Sequence, residues 1–169
     1  MVRPALSVVL LDSHRKVERL MRRSLFDAGA YEEIDARLAR LQPAASARFG
    51  TMTPGKMVCH LIDALEIALG KAPTTPRRKW LPKPLVRWLV IHLVPWPKGK
   101  AKTVPEMLRT QPTSWEADVA RLRLLLREAA HRGLDKPWSP DPAFGQITGR
   151  DYGYFLYKHI VHHLEQFSA

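Results

Sequence analysis

Seven histidines lie along this chain, and His159, His162 and His163 crowd its end. His159 and His163 are four apart, so on a helix they stack on one face. Neutral imidazoles so placed can reach one metal ion, at about 2.0–2.1 Å for zinc. Tyr152, Phe155, Leu156, Ile160 and Phe167 fall on the same stripe, which turns both rings toward a core. Imidazoles in a core cost free energy unless they are hydrogen-bonded or coordinated. Two readings therefore stand for the pair. It ligates a metal, or its rings bond to backbone or tyrosine, or reach the surface, with no ion involved.

His60 is the candidate third ligand. It lies on the shoulder of its helix's apolar stripe, so periodicity supports a surface position comparably well. Asp63, three residues on, is the candidate acceptor for its ring N–H. Cys59 adjoins His60, but successive helical residues point about 100° apart. A buried structural cysteine is therefore the better reading than a Cys–His nucleophile pair. His162 or Glu165 is the candidate proton acceptor, each with a solvent-facing alternative. His14, His92 and His131 are isolated and read as structural or exposed. No phosphate-cradling glycine loop or serine nucleophile motif is present. No catalytic residue is assigned.

Four long helices are expected to carry these residues. The first runs roughly from Ala30 to Leu41, with Tyr31, Ile34, Leu38 and Leu41 at helical spacing and Pro43 beyond it. The second starts at Thr53, a good N-cap, with Pro54 at its first position, and stops at Gly70. Thr113 and Glu116 resemble a capping box opening the third, whose apolar face is Val119, Leu122, Leu125 and Leu126. Gly133 ends it. Thr148 and Asp151 form a plausible cap pair for the last. Between the second and third, residues 71–112 read as an irregular connection with one short helix over Pro84 to Val94. No strand alternation and no internal repeat is found. The fold class is all-α, a four-helix bundle with a long crossover between helices 2 and 3. Short links should make helices 1 and 2, and helices 3 and 4, antiparallel neighbours.

The chain has 169 residues, enough for one domain with its own core. Residues 1–20 read as an N-terminal extension and 21–169 as the domain. The single cysteine rules out an intrachain disulfide. No apolar run reaches the roughly 18–20 residues that span a bilayer, and no signal peptide is evident. The expected location is cytoplasmic. The net charge of +11 is unevenly placed: segment 71–105 holds nine Lys or Arg and no Asp or Glu. Specific nucleic-acid binding is not expected, because these cations sit in a connection rather than along a helix. Three roles stay open for the segment: a cover for one end of the bundle, a contact for an anionic membrane surface, or a guide for an anionic ligand.

Several pieces of the chain resemble the DinB-like superfamily, and most an uncharacterised branch of it. They are Ser24-Leu-Phe-Asp27, Met52-Thr-Pro-Gly-Lys-Met-Val-Cys-His-Leu61, Pro142-Ala-Phe-Gly145 and Tyr157-Lys-His-Ile-Val-His-His-Leu-Glu-Gln-Phe167. Together they cover about residues 21–168. The resemblance implies a four-helix bundle with a long second-to-third crossover. It also implies one divalent metal ion (zinc, nickel or iron) on His60, His159 and His163. It further implies a metal-dependent, thiol-linked transferase whose partner is a small thiol or an anionic small molecule. The alternative is a non-catalytic bundle whose histidines or metal serve the fold. Relatives are often dimers, so the resemblance admits a homodimer. One departure stands out: relatives often have His-Pro before the Phe-Gly, where this chain has Asp141-Pro142. If that histidine serves the site elsewhere, Asp141 must replace it here or the site differs.

Overall fold

A computed structural model describes residues 23–74, 83–99 and 103–169. The expected extension over residues 1–20 and His14 lie outside the described residues. The described chain is all-helical. It forms α1 (Ala30–Arg40), α2 (Pro54–Ala68), α3 (Pro84–His92), α4 (Trp115–Arg132) and α5 (Gly149–Gln166). One 3-10 turn, Pro105–Met107, precedes α4. Among the described residues the only extended pairing is an isolated antiparallel bridge between Asp141 and Gly145.

Local chemistry explains most of the boundaries. The Thr53 hydroxyl accepts the Lys56 N–H, and Pro54 takes the first helical position, where its missing N–H costs nothing. Thr148 and Asp151 form a reciprocal capping box at the start of α5. The cap of α4 differs from the expected Thr113–Glu116 box. Ser114 is the N-cap, its hydroxyl accepting from Ala117 N–H. Thr113 is drawn away because its N–H and hydroxyl both donate to the Asp118 carboxylate, at 2.9 and 3.0 Å.

Among the four long helices, α2 packs with α4 and α5, and α1 packs with α4 and α5. These are not the chain-adjacent pairs expected from short links. Segments 41–53 and 133–148 are long enough to carry the chain across the core. α2 is the central element: Met57 to Leu65 is buried without a break, whatever face a residue occupies. A helix enclosed on all sides has no exposed stripe. On α5, Tyr152, Leu156, Tyr157, Ile160 and Leu164 are almost fully buried. Each such apolar side chain contributes about 1.5–3 kcal/mol, which fixes the helix rotation and turns His159 and His163 inward.

α3 packs against α5. Lys158 on α5 holds its C-terminal end, donating through Nζ to the carbonyls of Val90, Ile91 and Val94 at 2.8, 3.4 and 2.6 Å. A cation at a helix C-terminus satisfies carbonyls left without intrahelical partners. His92 adds a 2.8 Å contact to Asp151. The outer face of α3 is apolar yet exposed, with Leu85 at 69% and Trp88 at 48%. No helix among the described residues is long and apolar enough to cross a membrane.

Candidate metal centre

The structure brings His60 from α2 against His159 and His163 from α5. One ring nitrogen from each lies within 4.8 Å of the others. All three side chains are buried, at 3%, 4% and 8% exposure. Burial lowers the pKa of each, His163 to about 3. All three are therefore neutral at physiological pH, each with one nitrogen protonated and one bare.

The hydrogen bonds decide which nitrogen is bare in two of them. A carbonyl can only accept, so His60 Nδ1–H donates to the Met107 carbonyl, at 3.0 Å, and Nε2 carries the lone pair. Gln166 Nε2–H donates to the Phe49 carbonyl at 2.7 Å, which turns its Oε1 toward His163. His163 Nδ1–H then donates to that Oε1 at 3.1 Å, leaving its Nε2 bare. His60 Nε2 and His159 Nε2 approach to 2.8 Å. Two lone pairs cannot face each other so closely without a proton or a cation between them. His159 Nδ1 is buried and has no hydrogen-bond partner. The donor set thus fits a divalent cation: neutral imidazoles, two with the outer nitrogen locked on a protein acceptor.

The groups that hold the rings are not the one expected. Asp63 does not touch His60. Its carboxylate accepts the backbone N–H groups of Arg109 and Thr110, at 2.7 and 3.0 Å, and the Thr110 hydroxyl at 2.6 Å. Gln166 and the carbonyls of Met107 and Phe49 take the supporting roles. Of these, Gln166 had a readable signal, since it lies three residues beyond His163 on the same helix.

The histidines form part of the wall of a cavity of about 350 Å³. Phe49, Met52, Trp96, Phe144 and Phe155 give it a largely apolar surface. The described part of segment 71–112 contributes Val90, Trp96, Pro97, Gly99, Thr103 and Val104, all uncharged, to its wall. Among the described residues no Lys or Arg lines it. Lys98, beside the cavity-lining Pro97 and Gly99, pairs with Glu165 at 3.4 Å. His162 lines the cavity and is half-buried, whereas Glu165 is outside the lining. Asp141 lines it too, but does not belong to the histidine cluster. Cys59 is buried, and burial pushes its thiol up to about 11, far from a reactive thiolate. His92 bonds to Asp151, and His131 Nδ1–H donates to the Arg127 carbonyl.

Residues 20–169 match a family described as "Protein of unknown function (DUF1569)". The chain belongs to this family. The matched span holds all three clustered histidines, Asp141 and every described residue of the cavity wall. No curated protein and no solved structure matches the chain.

Proposed function

We propose that this DUF1569 member is a DinB-like metal-dependent enzyme. It holds one divalent ion (zinc, nickel or iron) on His60, His159 and His163, and works on a small molecule in the adjoining cavity. In this reading α1, α2, α4 and α5 form the four-helix bundle, and residues 69–114 are its crossover. The reaction class is a thiol-linked transfer.

The reading rests on one observation: three buried neutral imidazoles, two with Nδ1–H held by protein acceptors, gathered at the wall of a cavity. Three neutral ligands leave such an ion its full charge and an open position, which would bring a bound thiol or water toward ionisation near neutral pH. The chain's own contribution is to hold the three rings, keep water away with aromatic walls, and offer His162 as the proton acceptor.

Metal analysis after native purification tests it. The expected result is about one ion per chain in the wild type, with loss in His159→Ala and His163→Ala. Substoichiometric metal that neither substitution changes would sink the site. If chelation lowers only the melting temperature and spares thiol-conjugating turnover, the ion is structural.

A second reading concerns α3. Its exposed Leu85, Val86 and Trp88, flanked by Lys83 and Arg87, suit an anionic membrane surface. Binding to phosphatidylserine vesicles that falls steeply with salt supports it. Binding that survives neutralising Lys83 and Arg87 refutes it.

A further inference from the structure

Asp141 is the one acidic group among the described residues of the cavity wall, and it is 1% exposed. Its Oδ1 accepts the N–H groups of Ala143 and Phe144, at 2.8 and 2.9 Å. No donor among the described residues reaches its Oδ2. The nearby Tyr152 hydroxyl is engaged elsewhere, donating to the Ser139 carbonyl at 2.6 Å. Burial of a carboxylate costs several kcal/mol unless it is paired, and no basic side chain among the described residues lines this cavity to pair it. The main chain makes the placement firm: Asp141 and Gly145 exchange backbone bonds at 2.9 and 2.7 Å, closing the turn around the carboxylate. Aromatic rings line the cavity as well, with Phe144 and Phe155 at 5.4 Å and Trp96 and Phe155 at 5.6 Å between centroids.

We infer that the cavity selects an organic amine: an ammonium group on Asp141 Oδ2, and an apolar or aromatic body against Trp96, Phe144 and Phe155. A carboxylate in an aromatic enclosure recognises a cation through charge and through the ring faces together. This ligand class rests on the reading of the cavity as the substrate pocket. Binding is measured without turnover or metal content, so the two fail separately.

Benzylamine, benzyl alcohol and benzoate share one ring and differ in the polar end. Calorimetric titration of the full chain at neutral pH should rank benzylamine tightest, by about tenfold or more over benzyl alcohol. Asp141→Asn keeps an acceptor for the Ala143 and Phe144 N–H groups. It should drop benzylamine to the level of the alcohol and leave the alcohol unchanged. In the wild type, the amide resonances of Ala143 and Phe144 should shift with benzylamine and not with benzoate, which needs no variant to fold. Benzoate binding as tightly as benzylamine overturns the inference. So does an amine affinity that Asp141→Asn leaves intact, as direct coordination to an ion would give, or a failure of all three probes to bind.

Discussion

Gln166→Leu is expected to lower metal affinity by a route that Gln166→Glu leaves open. In the native protein the Gln166 amide donates to the Phe49 carbonyl at 2.7 Å and accepts from His163 Nδ1–H at 3.1 Å. Leucine fills much of the same space and makes neither bond. His163 Nδ1–H is then buried without an acceptor, at a cost of about 1–3 kcal/mol. The neutral ring relieves that cost by moving its proton to Nε2, where it removes the lone pair that the proposed ion would use. Loss of such an outer partner costs about 10–100-fold in metal affinity, or about 1.4–2.7 kcal/mol.

Glutamate keeps the acceptor for His163 but sets a carboxylate oxygen against the Phe49 carbonyl. Gln166→Glu should therefore hold the ion within a few-fold of the wild type, while losing about 1–2 kcal/mol of folding stability. Competition against a chromophoric chelator gives the affinities, and urea unfolding of the chelated protein gives the stabilities. Equal loss of affinity in both variants would refute the reasoning, because it would show that packing at position 166 matters and the proton on His163 does not. A Leu variant within twofold of the wild type would refute it too.

Three other substitutions follow from the same geometry. A Cβ on Gly153 would overlap Ser24 Oγ and come within 2.6 Å of the Phe26 ring. Gly153→Ala should thus cost about 1–3 kcal/mol by overpacking, read as a lower melting temperature. Asp141 has its pKa raised by burial from 3.8 to about 6. A raised acid gives stability that is full below the unfolded value and lost as pH rises toward the folded one. Asp141→Asn should match the wild type near pH 4 and exceed it at pH 7, by up to about 3 kcal/mol, in urea titrations at the two pH values. Equal differences at both would contradict the assignment. Lys158→Met removes the donor to three carbonyls at the end of α3. Amide exchange in α3 should speed up about tenfold or more, with α2 and α4 unchanged.

Local signals in the sequence carried the helices well where the deciding partner lies within a few residues. Thr53 with Pro54, and Thr148 with Asp151, cap helices as their spacing implies. The same logic put the cap of α4 one residue early, because Asp118 competes for Thr113 from inside the helix. His159 and His163 followed from the stripe on α5, whose two faces differ in burial. His60 did not, since periodicity locates a face only when one side of a helix meets water, and α2 meets almost none. The carbonyl of Met107 has no signature in any side chain. Trp96, Phe144 and Asp141 reach the cavity from segments far apart in sequence, so no spacing rule could assemble them. The nine cations of segment 71–105 drew attention to charge, whereas the uncharged residues between them line the cavity.

That division of labour has a structural consequence. Asp63 on α2 binds the backbone at Arg109 and Thr110, and so pins the chain just after Met107 to the helix that carries His60. Asp63 thereby orients His60 at one remove, by fixing the carbonyl that accepts from Nδ1–H. Met107 also lines the cavity, so one segment sets both the shape of the wall and the tautomer of a metal-binding candidate. On the opposite side, no hydrogen bond among the described residues joins the Asp141–Gly145 turn to any of the three histidines. Asp141 can therefore change without breaking a hydrogen bond of the imidazoles, whereas Phe144 reaches His159 through Phe155, at 5.4 and 5.5 Å between ring centroids. A substitution at Met107 reshapes the wall but keeps the backbone carbonyl that accepts from His60, so the tautomer of that ring stays set while the cavity changes.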